Sequence, residues 1–127
     1  MFWANEYCDR ETCFELKKLG YPWEPIKVRD GRAAPVYYEL PKDHPKWRDC
    51  NAYYAFTIYE AHTWMRKQLG YYIEVACLGG IWESVLVDEA TNIVEECKLG
   101  IGSYEEALLR GIRSYFEFLK KKNNGSV

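Results

Sequence analysis

Residues 55–75 read AFTIYEAHTWMRKQLGYYIEV, and a change of period inside this stretch decides the fold class. Thr57-Ile58-Tyr59-Glu60 is a capping box: the threonine oxygen accepts the N–H three residues on, and the glutamate reaches back to the threonine N–H. Ile58, His62, Met65 and Leu69 then share one side of a helix turning about 100° per residue. Gly70 ends it, because glycine accepts the left-handed backbone that closes helices. YYIEVACL alternates instead, placing Ile73, Val75 and Cys77 on one face and Tyr72, Glu74 and Ala76 on the other, the period of a half-buried strand. A helix running straight into a strand points to an α+β fold.

Toward the C-terminus, Gly79-Gly80 suits a tight hairpin into IWESVLV. Asp88 to Asn92 makes a second turn into IVEECKL, the weakest strand because Glu95 and Glu96 are consecutive. Ser103-Tyr104-Glu105-Glu106 is a second capping box and opens the last helix. Tyr104, Ala107, Leu108, Gly111, Ile112, Tyr115, Phe118 and Leu119 cluster on one side of that helix, with Glu106, Arg110, Arg113 and Glu117 opposite. Gly111 costs about 1 kcal/mol of helix propensity against alanine, so its place in the apolar stripe predicts a close neighbour. KKKNNGSV is expected to be a frayed, solvated tail, disordered over 123–127. The order is helix, three-stranded antiparallel meander, helix, with both helices on one face of the sheet.

Toward the N-terminus, Asp9 is the candidate cap of a short helix, RETCFELKKL, which Gly20 and Pro22 stop. All five prolines fall between Tyr21 and Cys50. Within PIKVRDGRAAPVYYEL, Asp30-Gly31 between two β-favouring runs predicts a β-hairpin, and PKDHPKWRDCNAYY reads as loop. The expectation is a single domain over 1–122, with a variable helix and hairpin part (1–56) ahead of the helix-meander-helix part (57–122).

At 127 residues the chain has a one-domain length, and 48% apolar with 28% charged residues disfavours disordered, collagenous and coiled-coil classes. The five cysteines make an odd count without a C-x-x-C pair, and MFWANEYCDRE lacks a secretion pattern, so a cytoplasmic chain with reduced thiols is expected. No apolar run is long enough for a membrane helix. Net charge is -2, and outside Lys120–Lys122 the C-terminal half has more acidic than basic side chains, a surface that repels phosphate.

Each chemically suggestive residue has a plain structural alternative. His62, on the inner side of its helix, has no carboxylate at a spacing that favours catalysis, so a packed, hydrogen-bonded ring is the stronger reading over a general base. Two histidines and five scattered cysteines show no metal-ligand spacing, and no nucleotide-binding glycine motif is present; neither metal nor cofactor is expected. Cys50, beside Arg48 in the loop, is the candidate exposed thiol. Cys77 and Cys97 fall at strand positions, where cysteine behaves as a small apolar residue. Trp23, Tyr37, Tyr38, Trp47, Tyr53 and Tyr54 crowd the proline-rich segment and are the candidate binding residues, since Tyr and Trp are enriched where partner surface is buried. The stronger reading is that they line the interface between the N-terminal hairpin and the sheet, supplying core to a loop-rich region. The helix-meander-helix order resembles the double-stranded-RNA-binding domain, but Tyr104-Glu105-Glu106 stands where that module places basic residues, which argues against RNA binding.

Three stretches, ETCFELKKLGY, AFTIYEAHTWMRKQLGYYIEV and GSYEEALLRGIRSYFEFLKK, resemble an uncharacterised group of small proteins from gut bacteria of the Bacteroides type and their phages and mobile elements. The resemblance spans most of the chain outside about Trp23 to Tyr53. Glu60, Ala61 and Trp64 match the group's threonine-capped helix, whereas His62 stands where the group tends to carry an apolar residue. The resemblance implies a bacterial cytoplasmic or phage-associated setting and transfers no catalytic residue. The expected function is a non-enzymatic binding or accessory protein acting through a protein partner or its own copies. The alternatives are a small enzyme using a cleft near Cys50 or His62, and a weak nucleic-acid binder acting through Lys120–Lys122.

Overall fold

Thr57 opens the central helix through both halves of its capping box. Its Oγ1 accepts the Glu60 N–H at 3.1 Å and the Glu60 carboxylate accepts the Thr57 N–H at 2.9 Å. The computed structural model describes residues 6–39, 51–90, 92–98 and 102–124, with 92–98 as backbone only. In chain order the elements are α1 (Arg10–Lys18), β1 (Val36–Glu39), β2 (Asn51–Tyr54), α2 (Ile58–Trp64), β3 (Tyr71–Leu78), β4 (Ile81–Asp88), β5 (Asn92–Lys98) and α3 (Tyr104–Asn124). This is an α+β chain with one two-stranded sheet, β1-β2, and one three-stranded antiparallel sheet in the order β3-β4-β5. A β-bulge between Leu86 and Val87 interrupts the regular ladder between β4 and β5.

α2 does not stay α-helical to Gly70. Met65–Leu69 forms a π-helical turn, closed by the Gly70 N–H on the Met65 carbonyl, with Gly70 left-handed at φ 75°. The wider turn accommodates one more residue than an α turn before the chain reverses into β3. Glycine is needed there because a side chain at that φ would be strained.

α3 lies across the three strands and also touches α2. Its buried stripe is Ala107, Leu108, Gly111, Ile112, Tyr115 and Phe116, in one core with Ile73 and Leu86 from the sheet, Ile58 and Ala61 from α2 and Met65 from the π-helical turn. A Cβ on Gly111 would run into the side chain of Ile73, which accounts for a glycine in a buried helical stripe. Ser103 caps this helix through the Glu106 N–H at 3.2 Å. The helix runs to Asn124, so Lys120–Lys122 and the start of the expected tail are helical, while 125–127 lie outside the described residues. Lys120 pairs with Glu117 at 3.9 Å, and Lys122 stands 6.0 Å from the Phe118 ring centroid.

The N-terminal part departs from the expected hairpin at Asp30-Gly31, which does not form. The turn comes earlier, with the Asp30 N–H on the Lys27 carbonyl and Arg29 at φ 70°. β1 pairs instead with β2, Val36 opposite Tyr54 and Glu39 opposite Asn51. Pro22 and Pro25 explain the difference, because a strand through Tyr21–Lys27 would lack two ladder donors. That segment reaches β2 through the few donors it has: the Ile26 N–H on the Ala52 carbonyl and the Trp23 indole N–H on the Tyr54 carbonyl, each at 2.7 Å. Asn51–Tyr54, read from composition as loop, is therefore strand.

α1 closes the core from the N-terminal side with Thr12, Cys13 and Leu16 buried. Its Asp9 carboxylate accepts from the Thr12 hydroxyl and makes no hydrogen bond to a helix N–H. Cys8, also fully buried, donates its N–H to the Phe56 carbonyl at 2.9 Å, and a bridge joins Tyr7 to Thr57. The chain ahead of α1 thus pairs directly with the chain ahead of α2.

Candidate functional site: two clefts beside Tyr21 and Pro22

The aromatic residues singled out in the sequence divide sharply. Tyr53 is 2% exposed, and its ring lies 4.3 Å from Trp23 and 5.8 Å from Phe14. Trp23 also meets Phe14 and Phe56 edge-on, and Tyr21 stacks on Phe56 at 4.1 Å. Tyr37 points its hydroxyl inward to the Cys8 carbonyl at 2.8 Å, and burial pushes its phenol up to about 12. These rings form a small aromatic core that holds the proline-rich segment on α1 and β2. Tyr38 is the exposed member, at 45%, and its carbonyl accepts two N–H groups of Arg10. Tyr54 is half-buried, under the Arg32 guanidinium at 5.1 Å and with its hydroxyl on the Asp30 carbonyl at 2.8 Å. Trp47 and Cys50 lie outside the described residues.

The segment held this way borders two clefts. The first, ≈ 410 Å³, runs between Tyr21–Lys27 and the end of β2, with Arg32, Tyr54 and Phe56 in its walls. The second, ≈ 460 Å³ and more open, lies against α2 and the π-helical turn and is lined by Tyr59, Thr63, Trp64, Lys67 and Gln68. Tyr21, Pro22 and Glu60 line both. Trp64 is held edge-on against Tyr21 at 5.4 Å. Tyr59 is tied to α3 by its hydroxyl on Glu105 at 3.2 Å, and burial together with that carboxylate pushes its phenol up to about 12. Burial, then the charge of Glu60, does the same for Tyr21, also to about 12. The walls are therefore held by contacts with one another and, at Tyr59, with α3, the condition for a site that keeps its shape without a ligand. Sequence reasoning missed Tyr21, Pro22, Tyr59 and Trp64, because the α2 register placed the last two without revealing what lay opposite them.

His62 is not part of either cleft. Its Nε2 accepts the backbone N–H of Ile73 at 2.8 Å, which puts the ring proton on Nδ1 and ties α2 to β3. Burial, with Arg66 one turn on, pushes the imidazole below its ordinary value. The neutral ring is the form that fits. Its contribution is therefore complete above the unfolded value of about 6.5 and is lost as pH falls through the depressed folded value. Unfolding by urea at several pH values between about 7.5 and 5.5 should show wild-type stability falling toward acid, with a smaller slope in His62→Gln. Equal slopes in the two proteins would mean that His62 does not carry the effect.

Comparison with family models, curated proteins and solved structures returns no match. The geometry alone carries the functional reading. Among the described residues no three His, Cys, Asp or Glu side chains gather as a metal site would require. Cys8 and Cys13 are fully buried and in contact, the Cys13 thiol donating to the Cys8 carbonyl at 3.7 Å; the neighbouring Cys13 thiol and burial hold the Cys8 thiol far above its ordinary value. The Cys8 thiol therefore lacks the thiolate character of a nucleophile. Cys77, expected as a small apolar strand residue, is exposed near the tip of the β3–β4 hairpin. No described helix is long and apolar enough to cross a membrane.

Proposed function

We propose that the chain is a non-enzymatic binding or accessory protein of a bacterial cytoplasm, phage or mobile element, and that it engages an extended segment of a protein partner along the clefts beside Tyr21 and Pro22. The observation that supports this reading is the pair of adjoining, aromatic-walled clefts whose wall residues hold one another in place through ring contacts and a hydrogen bond. Both volumes lie in the range of ligand sites, and extended peptides commonly dock in aromatic-lined grooves. A π-helical turn beside the second cleft adds support, since such turns recur at functional sites. Catalysis by His62 would need the Nε2 lone pair that Ile73 already occupies.

Selection of a displayed peptide library on the wild-type protein, followed by calorimetry of the recovered sequences, tests this. Ile26→Glu in the first cleft and Thr63→Arg in the second should each weaken binding about tenfold or more, while Leu78→Ser, on the exposed hairpin tip, should leave it unchanged. Failure to recover any peptide, or affinities indifferent to both cleft variants, would sink the proposal.

A further inference from the structure

The second cleft joins a fixed carboxylate to three aromatic rings. Glu60 Oε1 is held by the Thr57 N–H at 2.9 Å and hydroxyl at 3.1 Å, and Oε2 makes no hydrogen bond to a described residue. Tyr21, Tyr59 and Trp64 stand in the same lining, the first and last locked edge to face. The cleft's other charge is Lys67, exposed on the π-helical turn and in no ion pair with a described residue. The negative group is thus preorganised, whereas the positive one is free to swing into solvent. Aromatic rings around an anion favour a cation that is weakly hydrated and offers a face or edge to both, which describes guanidinium better than a carboxylate or an alkyl group.

Building on the peptide-binding reading, we infer that the cleft lined by Tyr21, Tyr59, Trp64 and Glu60 receives a basic side chain of the partner segment, with arginine the best fit. The rings supply cation–π attraction and the free Glu60 oxygen accepts an N–H of the guanidinium. The first cleft, which adds Glu24, Asp30, Lys27 and Arg32 to the shared Glu60, mixes charges of both signs and makes no such clear choice.

The probe is Nα-acetyl-arginine amide, titrated into the isotope-labelled full chain with the Trp64 indole N–H as reporter, and Nα-acetyl-citrulline amide is the neutral control. Arginine amide should shift that resonance saturably, and citrulline amide should bind at least about threefold more weakly. Glu60→Gln is the decisive variant, because glutamine serves a capping box as well as glutamate does and so removes the charge while α2 keeps its cap. It should weaken the arginine probe by about threefold or more with its melting temperature little changed, whereas Lys67→Ala, which removes the competing cation, should tighten it. Equal binding of the two probes, or an unchanged affinity in Glu60→Gln, overturns the inference. Library peptides that require the clefts but contain no basic residue would overturn it too while leaving the binding function standing. Absence of any cleft-dependent peptide would fell that function first.

Discussion

Replacing Gly111 by alanine should destabilise the protein by about 2 kcal/mol, although alanine gains about 1 kcal/mol of intrinsic helix propensity over glycine. The reason is local. The α3 backbone approaches β3 so closely at this position that all three nearest atoms to an added Cβ belong to Ile73, which is 4% exposed within the core. Packed interiors have no slack for a methyl group placed inside another side chain, so β3 or α3 must shift. Ile73→Ala alone should cost about 2–5 kcal/mol as a cavity. In that background the clash is gone, and Gly111→Ala should become neutral or stabilising. This reversal of sign in a double-mutant cycle, read by urea denaturation, is the specific expectation. A single Gly111→Ala variant as stable as wild type would show that the close approach is not what selects glycine.

Trp23→Ala should cost about 2–3 kcal/mol, below the range for a fully buried tryptophan because the ring is partly buried against the aromatic core. The indole contacts Phe14, Tyr53 and Phe56, and its N–H supplies one of the few bonds between the proline-rich segment and β2. Trp23→Phe keeps most of the ring and loses the hydrogen bond, for about 1 kcal/mol. The difference between the two variants separates packing from hydrogen bonding. A cost below about 1 kcal/mol for Trp23→Ala would mean that the ring serves the wall of the first cleft, which it also lines, rather than the aromatic core.

The two predictions mark where the sequence could and could not be read. Gly111 was legible because a glycine inside an apolar helical stripe is costly, and the cost demands a neighbour; only the identity of that neighbour, Ile73, needed the structure. Thr57, Glu60, Ser103 and Gly70 were legible for a similar reason, since caps and left-handed stops are local chemistry. The N-terminal half was not. Asp30-Gly31 has the composition of a hairpin turn, yet the partner of β1 is a strand beginning at Asn51, and no local signal specifies pairing across that distance. The proline spacing held the warning: two missing donors at Pro22 and Pro25 make Tyr21–Lys27 a poor strand. The π-helical turn at Met65–Leu69 left no trace in a hydrophobic pattern whose period is nearly the same over one turn. The clefts were hidden because they lie between segments far apart in the chain, Tyr21–Lys27 on one side and the end of β2 or α2 on the other.

The bond from Ile73 to His62 also covers part of an open sheet edge. β3 is an edge strand, and the alternation of its ladder turns the backbone groups of Ile73, Val75 and Cys77 away from β4. An edge of that kind invites a further strand, and proteins commonly blunt it with charge, a bulge or a covering group. Here an imidazole lone pair occupies the outward N–H of Ile73, so a strand adding along that end would have to displace His62 from it. At this edge, strand addition is thereby restricted to the stretch nearer the hairpin tip. The acid conditions that protonate His62 are the ones in which unwanted sheet extension should begin.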